Sequence, residues 1–342
     1  MSRSIAPQDR QKQSLARVLG NYSFVLIFVA ILLVYLVINA GATTWSGVMN
    51  ILRHSTVVGI IAFGMGLAII TGGIDLSVGS MLSLIGGFSV VVFNATNSPL
   101  LTLLFALFAG FVLGSINGLL IGKVKMPPFI VTLATMMIYR SLAQYYLRAV
   151  ERKSIYNMDG TLPAYDGFYS FGQSKLFDLI PVVGIILILV TVVMVFLSTS
   201  TKYGRTVYAV GSNERAAMLA GISVEWVRVG VYVITGVLSG LAAFIWLAMN
   251  GAVDPATLGR SNEMYAIAAV VIGGVSMSGG KGKLLGILFG AMSYNIIDKI
   301  IAAMRFDALI NDTIKGAILL VAVFIQIMIP VLRGKFRKRQ AA

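Results

Sequence analysis

The sequence of 342 residues contains no cysteine and a single histidine, His54. Without cysteine the chain forms no disulfide, offers no thiol nucleophile and supplies no thiolate ligand to a metal. A single histidine also excludes a multi-histidine metal centre and leaves few ways to build a Ser-His-Asp catalytic set. We therefore predict a protein without a metal site and without a cofactor.

Charged residues are scarce as well. They make up 12% of the chain, against about 25% in soluble domains, while 58% of the residues are hydrophobic and the mean hydropathy is +0.89. Apolar runs of about 20 residues, the length needed to cross roughly 30 Å of hydrocarbon, recur along the chain. The composition predicts an all-α polytopic membrane protein whose solvent is lipid.

Acidic residues are the rarer charged type, with 13 Asp and Glu against 27 Lys and Arg. The resulting net charge of +14 does not indicate nucleic-acid binding, because the basic residues sit in short connections between apolar runs rather than on one basic face. With the N-terminus in the cytoplasm, 17 of the 27 basic residues and only three acids fall on one side. This positive-inside bias predicts that both termini are cytoplasmic.

Ten apolar segments are candidate transmembrane helices, and some of them are expected to be broken or re-entrant. Arg140 in the fifth, and Asp298 with Lys299 in the ninth, single out those two segments for such an interruption. The segments are Tyr22 to Ala40, Thr56 to Ile74, Leu76 to Asn97, Pro99 to Gly122, Met126 to Leu147, Leu179 to Ser198, Val229 to Asn250, Met264 to Gly280, Leu284 to Met304 and Lys315 to Leu332.

The predicted organisation is a cytoplasmic tail over 1–21, a transmembrane domain over 22–332 and a basic cytoplasmic tail over 333–342. Two connections are long: an outer loop over about 148–178 and an inner loop over about 199–228. The outer loop is rich in aromatic residues, which fit either a surface for an external partner or a belt at the membrane interface.

Glycine gives the clearest packing signal. Stripes at every fourth residue, such as Gly110, Gly114, Gly118 and Gly122, predict close approach of helix backbones in lipid. A weak internal similarity relates Gly72-Gly73-Ile74 to Gly273-Gly274-Val275, and repeated halves are usual in transporters.

The chain does not have the motifs of an enzyme. No carboxylate pair lies within one span, and the glycine-rich stretch around Lys281 and Lys283 does not satisfy the phosphate-loop pattern, because Leu284 follows the second lysine. We predict a protein that is not an enzyme and does not bind ATP by itself. Ionisable residues within spans, which an ion-driven transporter needs, are also scarce.

Asp75 is the main exception, in the stretch Gly72-Gly73-Ile74-Asp75-Leu76-Ser77-Val78-Gly79 between two apolar runs. The glycines permit an unwound backbone, and Ser77 offers a hydroxyl that can satisfy it. One interpretation is a polar kink that lines a substrate path. The other is a tight turn between spans whose aspartate caps the next helix.

The inner loop contains a short predicted helix. Ser212 or Asn213 can cap it, with Glu214 in its first turn, and Gly221 can end it. Ala216, Ala217 and Ala220 give this helix a small-residue face suited to docking in a groove. A helix of about two turns buries little on its own, so the pattern indicates an unseen partner.

Four segments carry a resemblance to a known family. They are Gly72 through Gly79, Pro127-Pro128-Phe129-Ile130-Val131-Thr132-Leu133, Tyr203-Gly204-Arg205 with Ala209-Val210-Gly211-Ser212-Asn213, and Val271-Ile272-Gly273-Gly274 through Ser278-Gly279-Gly280. In this order the chain resembles the ribose-type permease subunits of bacterial ABC importers over nearly its whole length. Many relatives continue the fourth segment with Gly-x-Gly, whereas Lys281-Gly282-Lys283 follows here.

The resemblance implies a multi-pass permease of the bacterial plasma (inner) membrane that imports a ribose-like monosaccharide or related polyol. It also implies three kinds of partner: ATP-binding subunits, a periplasmic or lipid-anchored sugar-binding protein, and a second permease copy or paralogue. By the same resemblance, the loop from Arg205 to Ile222, with Gly211, Asn213, Glu214, Ala216, Ala217 and Gly221, would couple to the ATPase. The Asp75 segment would lie near the translocation path, and the particular sugar stays open.

Overall fold

The computed structural model describes residues 22–40, 44–146, 148, 154–304, 310, 313–321, 323–324 and 328. Both predicted tails and part of the tenth predicted span lie outside these residues. The helices are α1 (Ser23–Ile38), α2 (Trp45–Ile70), α3 (Val78–Thr96), α4 (Pro99–Gly122), α5 (Pro128–Tyr145), α6 (Tyr165–Gln173), α7 (Val182–Ser200), α8 (Lys202–Ser212), α9 (Glu214–Leu219), α10 (Val224–Asn250), α11 (Asn262–Ile272) and α12 (Leu284–Ala303). The strands are β1 (Tyr156–Asn157), β2 (Lys175–Leu176), β3 (Ile180–Pro181) and β4 (Ala252–Val253).

Six of the described helices, α2, α3, α4, α7, α10 and α12, are long and apolar enough to cross a membrane. Most residues of α2, α3 and α10 are buried and these helices form the centre, whereas only a minority of the residues of α4 and α7 are buried. The short strands pair only as two antiparallel ladders, β1 with β4 and β2 with β3. The structure agrees with an all-α polytopic membrane protein, and the count of ten spans stays a prediction.

Helix boundaries follow local capping. Helix α4 has the predicted bounds, because the Ser98 hydroxyl accepts from the backbone N–H of Leu101 and proline occupies the first helical position. Helix α2 begins eleven residues before its predicted start at Thr56, because Thr44 caps it. The early turns of α2 tolerate Arg53, whose guanidinium donates to the side chain of Gln173 in α6.

Helices α4 and α10 form the most extensive helix pair, and glycine makes it possible. A Cβ added at Gly110, Gly114 or Gly118 would overlap the backbone of α10 around Gly236, Tyr232 or Val229. The predicted role of this glycine stripe in close helix packing is therefore confirmed. The sequence has a second stripe with the same spacing, Gly282, Gly286 and Gly290. Gly286 packs on the backbone of Gly273, directly after α11, and Gly290 packs on that of Ala269 in α11, while Gly282 precedes α12.

The interruptions of the helices lie elsewhere than the charges suggested. The fifth and ninth segments are continuous helices, and Arg140 in α5 is accommodated because its guanidinium donates to the carbonyl oxygens of Pro255 and Leu258. The chain leaves helical structure instead at residues 71–77, here named the first break, and at residues 273–283, the second break.

The second break shortens the eighth predicted span, which was expected to run from Met264 to Gly280. Helix α11 ends at Ile272 and has 11 residues, so it rises only about 16 Å. That length is about half of the hydrocarbon thickness. The expectation of one continuous span was wrong because the glycine pair at 273 and 274 ends the helix, which a hydropathy average does not detect.

Aromatic residues of the outer loop serve mainly in packing. Tyr156 and Phe168 are buried, and the Phe168 ring lies 5.4 Å from that of Phe93 and 4.9 Å from that of Phe244. Tyr165 and Tyr169 are half-buried, and their rings stack at 5.8 Å.

Candidate functional site

The first break begins with a helix cap that requires glycine. Gly72 has φ +83°, in the left-handed region, and the N–H groups of Gly72 and Gly73 donate to the carbonyls of Ile69 and Ala68, both at 2.9 Å. These two bonds satisfy carbonyls that the last turn of α2 would leave free. The chain then runs non-helically to Ser77 before α3 starts at Val78.

Asp75 lies within this break and is fully buried. Its Oδ1 accepts from the backbone N–H of Ser77 at 2.9 Å and from the Ser77 hydroxyl at 2.6 Å. Asn117 of α4 donates its side-chain amide to that hydroxyl at 2.8 Å. Asp75, Ser77 and Asn117 thus form one buried polar cluster. The bond from the N–H of Ser77 to Asp75 closes a tight turn, as in the second of the two interpretations of this stretch.

The buried cluster has unused hydrogen-bonding capacity. Asp75 Oδ2, Asn117 Oδ1 and the hydroxyl of Tyr232 are buried without a hydrogen-bond partner among the described residues. Such groups are costly unless water or a ligand satisfies them. The start of α3 beside Asp75 offers partial positive charge from the helix dipole, which offsets part of the cost of burying a carboxylate.

A cavity of about 170 Å³ opens beside the first break and is lined by Gly72 and Gly73 together with Lys125, Arg228 and Tyr232. A Cβ at Gly73 would lie 2.6 Å from the Tyr232 hydroxyl, so a larger residue at this position would displace the Tyr232 side chain. Within the stretch from Gly72 to Gly79, the predicted path residues are Gly72, Gly73, Asp75, Ser77 and Gly79. Of these five, Gly72 and Gly73 line the cavity.

The other three predicted path residues, Asp75, Ser77 and Gly79, are buried and do not line it. Gly79 has a different neighbour, because an added Cβ would overlap the carbonyl oxygen of Gly259. This contact packs the first turn of α3 against the segment that precedes α11.

The second break repeats the cap of the first. Gly274 has φ +82°, its N–H donates to Val271 O at 2.9 Å, and the N–H of Val275 donates to Val270 O at 3.1 Å. By this geometry Gly274 corresponds to Gly72, one residue later than the sequence similarity had aligned it. The second break also contacts the end of α2, since the N–H of Gly280 donates at 2.9 Å to the carbonyl of Ile70, the last residue before the first break.

The inner loop contains two helices, and the first of them, α8, packs on the end of α2 just before the first break and on the second break. Thr201 caps it by accepting from the N–H of Gly204 at 3.0 Å. At its other end a Cβ on Gly211 would overlap the Ile70 carbonyl oxygen. The hydroxyl of Tyr208 donates to the carbonyl of Gly282 at 2.9 Å, and burial raises the pKa of Tyr208, which keeps it a neutral donor.

The second helix, α9, has the predicted cap and end. Asn213 Oδ1 accepts from the N–H of Ala216 at 3.0 Å, and Gly221, with φ +77°, follows the last turn. Glu214 does have an internal partner, because both of its carboxylate oxygens accept from the Arg228 guanidinium, at 3.0 and 2.7 Å.

The three alanines of α9 do not form a single outward face. Ala217 is only 4% exposed and belongs to the hydrophobic core, whereas Ala216 and Ala220 are exposed. The prominent outward residues are Leu219, which is 92% exposed, and Met218, at 52%. Arg205 is exposed on α8. Leu219 was missed because a leucine in a short amphipathic stretch reads as a core residue.

Sequence reasoning also missed Asn117 and Tyr232, which complete the surroundings of Asp75. The available signal was an amide side chain inside an otherwise apolar span, between Ile116 and Gly118. Among the described residues no group of three or more His, Cys, Asp or Glu is placed to hold a metal ion.

Residues 47–323 match the protein family described as branched-chain amino acid transport system / permease component. The ribose import permease protein RbsC of Bacillus subtilis (strain 168) is 37% identical over 302 residues, which cover 88% of this chain and 91% of that protein. The D-allose transport system permease protein AlsC of Escherichia coli (strain K12) is 32% identical, covering 82% and 83%.

The fructose import permease protein FrcC of Rhizobium meliloti is 33% identical, covering 80% of this chain and 76% of that protein. No solved structure matches the chain. The similarity thus extends over most of the described helices, including both breaks and the α8–α9 segment.

Proposed function

The chain belongs to the family of branched-chain amino acid transport system permease components, and we propose that it is the membrane permease of an ATP-driven importer of a monosaccharide or related polyol. The observation that carries the proposal is its similarity, over most of its length, to permeases named for ribose, D-allose and fructose. Because the three names share only the chemical class of monosaccharide, the proposal covers that class and no single sugar.

The proposed topology places about ten transmembrane helices in the bacterial plasma (inner) membrane, with both termini in the cytoplasm. Six long apolar helices support it, and the shorter apolar helix α1 supplies a further candidate crossing, whereas α11 alone reaches only about halfway across the hydrocarbon. Lys123, Lys125, Arg228, Lys281 and Lys283 would then all lie on the cytoplasmic side, as the positive-inside bias requires.

The proposed partners follow from what such an importer needs. ATP hydrolysis is assigned to separate ATP-binding subunits, because the glycine-rich second break does not have the phosphate-loop pattern. A second permease copy or a paralogue would complete the translocation path. A periplasmic or lipid-anchored sugar-binding protein would deliver substrate to the outer side, near the loop over 148–178.

Helix α9 is the proposed docking element for the ATP-binding subunit. Its inward side is held to this chain by Ala217 and by the pairing of Glu214 with Arg228, while Met218 and Leu219 point outward. An exposed leucine on a firmly anchored short helix suits insertion into an apolar groove of a partner. The contacts of the neighbouring α8 with the end of α2 and with the second break connect this element to the middle of the chain.

The first break is the proposed lining of the sugar path. A sugar is neutral and carries many hydroxyls, so it needs hydrogen-bond donors and acceptors without a fixed charge pair. Asp75 Oδ2, Asn117 Oδ1 and the Tyr232 hydroxyl are such unused groups, and of these residues Tyr232 lines the cavity at Gly72 and Gly73 while Asp75 and Asn117 are buried behind its wall.

The docking proposal is tested by Leu219→Arg in the permease co-expressed with its ATP-binding subunit. The side chain is 92% exposed, so the variant should insert and fold normally while a charge enters the proposed apolar groove. We expect loss of co-purification and a fall of about ten-fold in substrate-stimulated ATP hydrolysis, which corresponds to about 1.4 kcal/mol of binding. Sugar uptake should fall in parallel.

Leu176→Arg is the matched control, because Leu176 is also exposed but lies in the outer ladder of β2 and β3. It should leave ATPase co-purification unchanged. Normal assembly of Leu219→Arg would contradict the docking role of α9. Uptake that persists in ATP-depleted vesicles with an ion gradient would instead contradict the ATP-driven function and favour an ion-driven transporter.

A further inference from the structure

A second, larger cavity lies at the second break and has no part in the proposed sugar path. Its volume is about 420 Å³. Three elements surround it: the first turn of α1, the side of α8 at Tyr208, and the break itself with Lys281 and Lys283. It remains open partly because Gly274, whose added Cβ would meet nothing within 4 Å, presents no side chain to it.

The positive charge of the two lysines at this cavity is not neutralised by any carboxylate of the described residues. Lys281 and Lys283 are exposed, and neither forms an ion pair with a residue that the structure describes. Among the residues that the structure describes, no acidic residue lines the cavity. Lys123 and Lys125 at the start of the α4–α5 connection provide the contrast, since both pair with Glu225 at 3.0 Å.

Two further features make the cavity favourable for an anion. Helix α12 begins directly after Lys283 without a side-chain cap, so the positive end of its dipole adds to the potential of the lysines. The residues that precede the cavity in sequence, 1–21, carry four basic residues and one acid. They are therefore not charge-complementary occupants.

The surroundings indicate that the anion is attached to a lipid. Helix α1 exposes apolar side chains along its length from just past the cavity, beginning with Leu26 and Ile27 and continuing through Leu33 and Val37. The Lys283 ammonium lies 4.3 Å from the centre of the Tyr22 ring at the end of this helix. A tyrosine and a lysine at the end of an apolar helix are typical of the membrane interface, at the level of the headgroups.

We propose that this cavity binds the phosphate headgroup of an anionic phospholipid, with Lys281 and Lys283 as the cationic contacts and the acyl chains along α1. Basic pockets between transmembrane helices on the cytoplasmic side are known sites for such headgroups. The site reaches α8, the helix that directly precedes the proposed docking element α9, because the carbonyl of Gly282 accepts from Tyr208 of α8. Headgroup occupancy therefore steadies the contact between the second break and α8.

The test is native mass spectrometry of the full-length chain in detergent, titrated with phosphatidylglycerol or with phosphatidylcholine. Each lysine near an anionic headgroup contributes about a factor of five, so Lys281→Gln with Lys283→Gln should weaken phosphatidylglycerol binding about thirty-fold. Phosphatidylcholine binding should stay the same. The control is Lys123→Gln with Lys125→Gln, which removes the same charge on the same side and should change phosphatidylglycerol binding less than two-fold.

Intrinsic fluorescence melting checks that each variant folds, and the two single lysine variants replace the double variant if it does not. Equal affinity of the parent for the two lipids, or no effect of the lysine variants, overturns the proposal. Displacement of phosphatidylglycerol by inorganic phosphate at millimolar concentration overturns the assignment to lipid, because the site would then take a soluble anion. These outcomes do not depend on the sugar or on the ATP-binding subunit, so they are separable from a failure of the proposed function.

Discussion

The two breaks share one backbone device and differ in everything that follows it. Both end a helix with a glycine at φ near +82° and with the same pair of backbone bonds to the preceding turn. After the cap, the first break buries Asp75 in a polar cluster, whereas the second leaves Lys281 and Lys283 at an open cavity. The comparison teaches that a cap decides where a helix stops, and the next few side chains decide what the gap contains.

In both breaks a side-chain oxygen accepts from the backbone N–H two residues later. Removing these two side chains should give the largest difference in stability between the breaks. Asp75 Oδ1 accepts from the N–H of Ser77 at 2.9 Å, and the Ser276 hydroxyl accepts from the N–H of Ser278 at 3.3 Å. Asp75→Ala strands a buried N–H and a buried hydroxyl, so it should lower the free energy of unfolding by about 2 kcal/mol. Ser276→Ala, which affects an exposed turn, should cost about 0.5 kcal/mol. Unfolding in mixed detergent micelles measures both.

Asp75→Asn serves as the control, because it keeps an oxygen acceptor with nearly the same shape. It should insert and remain close to the parent in stability while sugar uptake falls, since the amide presents a donor where the carboxylate has a free acceptor. If Asp75→Asn transports normally, the cluster is only a structural turn. If Asp75→Ala and Ser276→Ala cost the same, the two breaks do not differ as described.

Substitution of the cap glycine should destabilise the protein by a similar amount at the two breaks. Gly72→Ala and Gly274→Ala each force an L residue into left-handed backbone with open space around the new methyl group. Each should lower the free energy of unfolding by about 1 to 2 kcal/mol, and the two values should agree within about 0.5 kcal/mol. The same micelle titration tests this. A much larger cost at one of them would show that its glycine has a further role, such as contact with substrate or lipid.

The smallest expected difference concerns one tyrosine beside each break. Tyr208→Phe removes a hydroxyl that donates to Gly282 O at 2.9 Å, and it should cost about 1 kcal/mol. Tyr232→Phe removes a buried hydroxyl with no partner among the described residues, so stability should stay level or rise by up to about 1 kcal/mol. A loss of stability in Tyr232→Phe would reveal a hydrogen bond at the first break, for example to an ordered water.

Hydropathy and capping signals in the sequence predicted most of the helices. They succeeded fully for α4, where Ser98 and Pro99 mark the start and the apolar run ends at the basic residues that follow. They failed at the end of α11, because averaging over a window hides a glycine pair. Arg140 was misleading for a different reason: carbonyls of a distant segment satisfy its guanidinium, and no local pattern reports a partner 115 residues away.

The candidate site could be predicted only in part. Asp75 stood out because an ionisable residue between apolar runs is rare, but its neighbours Asn117 and Tyr232 come from α4 and α10 and depend on tertiary packing. The alanines of α9 illustrate the opposite error. Small residues fit both a partner's groove and the chain's own core, and at Ala217 the core is the outcome.

The glycine stripe of α4 has a mechanical consequence. Four regularly spaced glycines of α4 pack directly on the backbone of α10, so we expect the two helices to move together as one rigid unit. Helix α10, at 27 residues, is about 40 Å long, and it begins beside α9 at one end. If the end of α10 next to α9 is tilted by about 5°, the opposite end of α10 moves by about 3.5 Å. Asn117 belongs to α4 and donates to the Ser77 hydroxyl, so a displacement of α4 together with α10 would be transmitted to Ser77.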